Sequence, residues 1–260
     1  MSDAQPITGL RPEQVAPYVF LCGDPGRVEA LSAGWSDARE VASVREFRFV
    51  TGSLDGVRLT AASTGVGAPG TAIVVEELAK LGAHTLLRVG NSGGLAPDLE
   101  PGDLVVSTGA VRDDGTSRSY VAPEYPAVAH HALVGALLAA AQRKGARCRA
   151  GITWSLDGFY ARNAMLGADG ALVSMSFEGY WTRAAAERIP DMRAARVQNC
   201  EMESGVLLTL AGLFGLRAGC ICVVSDRVPW AGPSEFDFDR NMARCIEVAT
   251  DAMLHLAKEG

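Results

Sequence analysis

Short apolar runs recur along the chain at the length of buried β-strands. They predict strands at residues 18–22, 57–62, 85–89, 104–107, 150–155 and 218–224, with residues 195–199 also entering the sheet. The pattern predicts glycine-containing turns at residues 23–27 and 90–94. Residues 157–179 show the weakest periodicity, so we expect a loop or flap there.

Amphipathic segments separate these runs. Helical periodicity predicts helices at residues 70–81, 130–143 and 238–257, and a further helix beginning near Met202. In the first of these, the apolar positions predicted to face inward are Ile73, Val74, Leu78 and Leu81. The polar positions predicted to face outward are Glu76, Glu77 and Lys80.

Strands that alternate with helices are typical of α/β proteins. We therefore predict one domain over residues 1–260, a three-layer sandwich whose central, mixed and largely parallel sheet is flanked by helices. In such folds ligands bind at the carboxyl ends of the strands, and the candidate motifs below all follow strands.

Composition narrows the possible functions. Hydrophobic residues make up 48% of the chain and charged residues 21%, which is the balance of a globular protein. The net charge of −6 and the lack of a basic run argue against a nucleic-acid polymer as partner. No apolar run is long enough to span a bilayer, and no cysteine or histidine spacing indicates a metal site. We expect a cytoplasmic protein without a metal.

Two glycine-containing segments could bind an anion. Gly23-Asp24-Pro25-Gly26-Arg27 offers backbone N–H groups and a guanidinium, although an ordinary turn with a surface arginine has the same pattern. The segment from Arg88 to Gly94 adds Asn91 and Ser92 as hydrogen-bond donors to a ligand. A purely structural role for this segment fits its sequence equally well.

Two acidic segments could bind or protonate a ligand. In Glu201-Met202-Glu203 a carboxylate could accept hydrogen bonds from vicinal sugar hydroxyls, or simply decorate a helix start. Asp226 could act as a general acid, or form a surface ion pair. Phe159 and Tyr160 could stack on a flat base or serve only in packing.

Taken together, these motifs resemble the nucleoside phosphorylase-I family, and most closely its uridine phosphorylase branch. The resemblance extends from about Leu10 to the last predicted helix. The matching stretches are CGDPGRVEAL, VREF, STGVGAPGTAIVVEELAKLGAHTLLRVGNSGG, PEYPAVA, SLDGFY and CEMESG.

The resemblance implies phosphate-dependent cleavage of a nucleoside to free base and ribose 1-phosphate, with inorganic phosphate as co-substrate and no cofactor. The implied phosphate-binding residues are Gly23, Arg27, Arg45, Arg88 and Asn91. Arg45 would act from a neighbouring subunit, because the family typically forms hexamers built from dimers. The implied ribose- and base-binding residues are Phe159, Asn163, Met202 and Glu203. Arg88, Glu203 and Asp226 would be catalytic.

The base site departs from the uridine phosphorylase pattern. Asn163 and Met165 stand where that branch has a Gln and an Arg that contact uracil. A main uracil contact is therefore missing, unless Arg162 replaces the arginine. Asp226 stands where it has Asn, and resembles the purine-type branch. The base therefore stays open, and a purine-type phosphorylase, a phosphate-independent nucleosidase and a nucleoside-binding protein without turnover remain alternatives.

Overall fold

The apolar runs of the sequence form the central strands of one mixed sheet. The computed structural model describes residues 4–232 and 241–259. The strands are β1 (Tyr18–Cys22), β2 (Ser36–Val44), β3 (Phe47–Leu54), β4 (Val57–Ser63), β5 (Thr85–Gly94), β6 (Leu104–Asp113), β7 (Ala127–Val128), β8 (Cys148–Leu156), β9 (Ala164–Leu166), β10 (Leu172–Ser174), β11 (Asn199–Glu201) and β12 (Arg217–Arg227). The helices are α1 (Arg27–Ser32), α2 (Ala68–Lys80), α3 (Gly115–Tyr120), α4 (His131–Arg143), α5 (Phe159–Arg162), α6 (Arg183–Ala186), α7 (Arg188–Ala194), α8 (Ser204–Phe214) and α9 (Met242–Glu259).

The sheet has the strand order β11-β8-β6-β12-β5-β1-β4-β3-β2, with β7 paired to β6. Parallel pairs join β4, β1, β5 and β12 in the middle of the sheet. Antiparallel pairs join β12 to β6 and link β2, β3 and β4 at one edge. The carboxyl ends of β1, β5 and β12 therefore lie side by side.

Helices cover both faces of this sheet. One apolar cluster packs α1, α4 and α9 against the sheet through residues such as Leu31, Leu137 and Val248. A second cluster packs α2 and α8 against the opposite face through Leu78 and Leu207. The predicted fold class, a sheet flanked by helices, is confirmed.

Two side chains of α2 differ from the prediction. Ile73 is partly exposed, whereas Glu77 is buried. The carboxylate of Glu77 accepts hydrogen bonds from the backbone N–H groups of Ile7 (3.0 Å) and Thr8 (2.8 Å). The N-terminal segment therefore covers a position that periodicity assigns to solvent, and backbone donors satisfy the buried charge.

Other differences concern strand boundaries. The turn predicted at residues 90–94 is wrong, because β5 continues to Gly94 alongside its parallel partner β12. Residues 195–198 lie outside the sheet, since β11 begins at Asn199. The pattern missed β2 because this edge strand is largely exposed and so lacks an apolar stripe.

The segment predicted as a flap has more structure than expected. Residues 157–179 contain the short helix α5 and the two-stranded pair β9–β10. The closing helix begins at Met242 in the structure, and predicted positions 238–240 lie outside the described residues. Within residues 4–232 and 241–259, no helix has the length and apolarity needed to cross a bilayer.

Candidate active site

A cavity of about 790 Å³ opens at the carboxyl ends of β1, β5, β11 and β12. Its volume is in the range of small-molecule sites. The predicted site residues that line it are Gly23, Arg27, Arg88, Asn91, Phe159, Asn163, Met202, Glu203 and Asp226. Motifs that are far apart in sequence thus converge on one space.

Arg88 is the central charge of the cavity. Its side chain is only 6% exposed and extends along β5 over Gly90, where an added Cβ would lie 2.8 Å from Nη2. Nε donates to Glu201 Oε2 (2.7 Å), and Nη2 lies 2.5 Å from Glu203 Oε2. Burial alone would lower the pKa of Arg88, but Glu203 and Glu201 raise it well above its usual value. The guanidinium is therefore a fixed positive charge.

The two glutamates at the start of α8 have different surroundings. Glu201 accepts from the backbone N–H of Glu203 (2.9 Å) and from the N–H and hydroxyl of Ser204. Its carboxylate therefore satisfies backbone donors at the start of α8 and orients Arg88. Sequence analysis missed this positioning role.

Glu203 joins Arg88 to the loop before α2. Its Oε1 accepts from the backbone N–H of Gly67 (2.5 Å), and its Oε2 contacts Arg88. Burial raises the pKa of Glu203 and Arg88 opposes that shift, while Glu201 adds to it. Glu203 is thus a buried carboxylate at the cavity wall whose ionised form depends on Arg88.

Arg27 brings a second positive charge to the cavity. It follows a turn in which Asp24 Oδ1 accepts from the backbone N–H of Gly26 (2.8 Å). Arg27 and Arg88 both lie near Cys22: burial raises the pKa of that thiol to about 12, and the two arginines oppose the shift. The two guanidiniums therefore share one electrostatic environment. Arg27 is the first residue of α1, a helix of six residues.

Aromatic and amide groups form another part of the wall. Asn163 Nδ2 donates to the backbone carbonyl of Phe159 (2.9 Å). Asn163 Oδ1 is buried and has no hydrogen-bond partner among the described residues. Arg162 does not replace a base-reading arginine, because it lies against Asp113 (3.6 Å) outside the cavity lining.

Asp226 reaches the cavity through an irregularity of β12. The pairing register with β5 shifts between Val224 and Asp226, which brings Asp226 opposite Gly93. Ser225 Oγ donates to Asp226 Oδ1 (2.6 Å), and the indole N–H of Trp230 donates to Oδ2 (2.6 Å). An added Cβ on Gly93 would lie 3.2 Å from Oδ2. A glycine there allows the carboxyl group to approach β5.

Comparison with known proteins identifies the family. The model of the phosphorylase superfamily matches residues 17–258. The chain belongs to this superfamily. It is 47% identical to a uridine phosphorylase of Thermococcus kodakarensis over 82% of this chain and 74% of the relative. It is 36% identical to a uridine phosphorylase of Klebsiella aerogenes, over 94% of this chain and 93% of the relative.

A relative named for a purine nucleoside is nearly as similar to this chain as the Klebsiella aerogenes enzyme is. A guanosine phosphorylase of Halorubrum lacusprofundi is 34% identical over 97% of this chain and 99% of the relative. The resemblance to the nucleoside phosphorylase family is thereby confirmed. Relatives named for different bases leave the base of this chain open.

Arg45, one of the predicted phosphate-binding residues, does not line the cavity of the subunit to which it belongs. Arg45 is exposed at the turn between β2 and β3, with a left-handed φ of 56°. Its neighbour Glu46 does line the cavity, as do Gly65 and Val66. Sequence analysis did not assign these three, although they belong to the VREF and STGVG stretches that carry the resemblance.

Proposed function

We propose that this protein cleaves the N-glycosidic bond of a nucleoside with phosphate, giving free base and ribose 1-phosphate. The observation that carries the proposal is the convergence of Arg27, Arg88, Glu203 and Asp226 on one cavity. The relatives named uridine and guanosine phosphorylase support the same chemistry. The whole chain would act as one phosphorylase domain, and it would need no cofactor.

Phosphate would bind between Arg27 and Arg88. In Arg88, Nε and Nη2 contact glutamates, so Nη1 is the arm directed to the anion. Gly23 and Asn91 line the same cavity and supply further donors. The partner subunit's Arg45 would complete the site, since the turn that carries Arg45 is exposed.

The ribose would bind to Glu203. An ionised carboxylate accepts hydrogen bonds from both vicinal hydroxyls, and Met202 adds an apolar contact at the same wall. On ribose binding, the hydroxyls would share or replace the donors that Arg88 and Gly67 now supply. Glu203 therefore links the sugar directly to the guanidinium that binds phosphate.

The reaction follows from this arrangement. The bond between C1′ and the base nitrogen breaks, and the base takes both electrons. The sugar develops oxocarbenium character, which the adjacent phosphate stabilises before its oxygen bonds to C1′. The departing base takes a proton from Asp226, and holding both reactants in line supplies about 7–11 kcal/mol of effective-molarity advantage.

The base would lie beside Phe159, Asn163 and Asp226. Met165 in place of an arginine weakens the case for uracil, and Asp226 favours a base whose leaving form accepts a proton. A uridine phosphorylase-like specificity and a purine-type specificity are therefore both kept as candidates.

The test is base release from uridine, thymidine, inosine, guanosine and adenosine, with and without phosphate. The proposal expects release that depends on phosphate, and the most active substrate assigns the base. R27A should raise the KM for phosphate about tenfold or more, because it removes one half-buried cation. R143A is the matched control, since Arg143 pairs with Asp251 between α4 and α9. Equal release without phosphate would identify a nucleosidase instead.

We also propose a cytoplasmic homo-oligomer, namely a hexamer built from dimers. Six free cysteines support a reducing compartment. An exposed Arg45 that does not reach its own cavity supports a shared site. Mixing an R45A subunit with an R27A subunit tests this directly, because hybrid dimers should regain one intact phosphate site.

A further inference from the structure

Trp230 is a buried residue that neither the motifs nor the proposed reaction has used. Its indole N–H donates to Asp226 Oδ2 at 2.6 Å. An indole nitrogen can only donate, so Oδ2 is held as an acceptor whichever protonation state Asp226 has. A proton on the carboxyl group is thereby directed to the other oxygen, Oδ1.

The surroundings of Oδ1 suit both protonation states. Ser225 Oγ lies 2.6 Å from Oδ1 and 3.3 Å from the backbone carbonyl of Ser92. The single hydroxyl hydrogen can point to an ionised Asp226, or turn to Ser92 and accept the proton of a neutral one. The carboxyl group can therefore change charge without losing a partner.

Trp230 also connects Asp226 to the segment that forms the base wall. Its backbone N–H donates to the carbonyl of Ala164 (2.9 Å), and its carbonyl accepts from Leu166 (2.8 Å). Its ring centroid lies 5.7 Å from that of Phe159. The position of the aromatic wall and the position of the carboxyl group thus depend on the same side chain.

We propose that Trp230 is a positioning residue that orients Asp226 toward the base and stabilises the carboxylate left after proton transfer. This rests on the proposed function, because it assigns Asp226 the role of acid. A hydrogen bond to the charged form favours that form, so Trp230 makes Asp226 a better proton donor. The substrates that would need this acid are nucleosides whose base leaves as an anion and must take up a proton.

Within residues 4–232 and 241–259, few other charged or titratable groups could account for a pH effect at this position. Among the described residues, Cys200 on β11 is close, but burial and Asp226 raise its pKa far above neutrality, so it stays neutral. Arg227 is directed to Glu100 (2.5 Å), and Arg193 donates to the Val228 carbonyl (2.8 Å).

The kinetic test compares W230F with W181F. Trp181 is the matched control, because it packs against the same apolar cluster as Trp230 and its indole donates to the Ala161 carbonyl (3.0 Å) instead. W230F should lower kcat about 10- to 100-fold, leave the KM for phosphate unchanged, and move the alkaline limb of the pH–rate profile to higher pH. The limb moves upward because the weakened acid keeps its proton longer. W181F should leave the limb in place.

A second measurement does not depend on W230F folding. The indole proton of Trp230 should shift in the NMR spectrum between wild type and D226A, because the charged acceptor is lost. An unshifted resonance, or equal pH–rate profiles for wild type and W230F, would overturn the positioning role. Full activity of D226N on every nucleoside would overturn it too, whereas phosphate-independent cleavage would overturn only the proposed function.

Discussion

The two parts of the cavity are built in different ways. The part proposed to bind phosphate and sugar uses charges on β5 and at the start of α8, where Arg88, Glu201 and Glu203 satisfy one another and backbone donors. The part proposed to bind the base uses the four-residue helix α5, with a partly exposed Phe159 and an Asn163 oxygen that has no partner among the described residues. The first part is preorganised for one chemistry, whereas the second can be altered with little effect on the charges.

The largest effect should come from breaking the charged part. R88A should lower phosphate-dependent kcat/KM about 10³-fold on every nucleoside, because it removes a preorganised cation. It also leaves two buried carboxylates unpaired, which costs about 3–5 kcal/mol of stability. Steady-state kinetics and thermal unfolding measure the two effects.

R88K separates charge from geometry, because lysine keeps the charge but cannot contact both glutamates as a fork. It should fold better than R88A and still lose most of the activity. A fully active R88K would contradict a role for the guanidinium geometry.

Displacing Arg88 without removing it should have the next largest effect. In G90A the new Cβ would lie 2.8 Å from Nη2, so the guanidinium must move. A shift of about 1 Å at a reacting site can lower the rate about 10²-fold. G135A is the control, since nothing lies within 4 Å of a Cβ added to that glycine of α4. Equal kinetics for the two variants would show that the path of Arg88 over Gly90 is unimportant.

Acid pH should weaken nucleoside binding at the proposed sugar site. The pKa of Glu203 is raised by burial, so its carboxylate takes up a proton at higher pH than an ordinary glutamate. As the pH falls through that raised value, kcat/KM for the nucleoside should fall with it. E203Q should be about 10- to 100-fold less active and should lack this acid limb. An acid limb that persists in E203Q would assign it to another group.

The smallest effect should come from Asn163, in the part of the cavity proposed to bind the base. N163L removes a buried acceptor oxygen, so it should lower kcat/KM about tenfold for nucleosides whose base presents an N–H to it. The KM for phosphate should not change, and it is the internal control. A ring N-methyl nucleoside should react equally with wild type and N163L, and a further loss in N163L would contradict this contact.

The charged part was largely predictable from sequence, for a physical reason. β1, β5 and β12 are apolar runs buried within the sheet. Gly23 follows β1 and Asp226 lies near the end of β12, whereas Arg88 lies inside β5, opposite Leu21 near the end of β1. Because parallel strands end at the same edge, motifs that follow them converge. The motifs alone therefore predict where in the fold the cavity lies.

The remaining features depend on contacts that no local pattern encodes. Glu201 and Glu203 are two residues apart in one motif, and only the fold directs one carboxylate to backbone donors at the start of α8 and the other to Gly67. Trp230 contacts Asp226 through a loop without periodicity. Arg162 lies outside the cavity lining, against Asp113, which is 49 positions earlier in the sequence.

The proposed reaction requires that one cavity bind phosphate and nucleoside together and transfer the pentose from the base to phosphate. Following a single reaction by phosphorus NMR, with base release measured in parallel, tests it most directly. One inorganic phosphate should be consumed and one pentose 1-phosphate should appear for every base released. Base released with free ribose, and with no loss of inorganic phosphate, would contradict it.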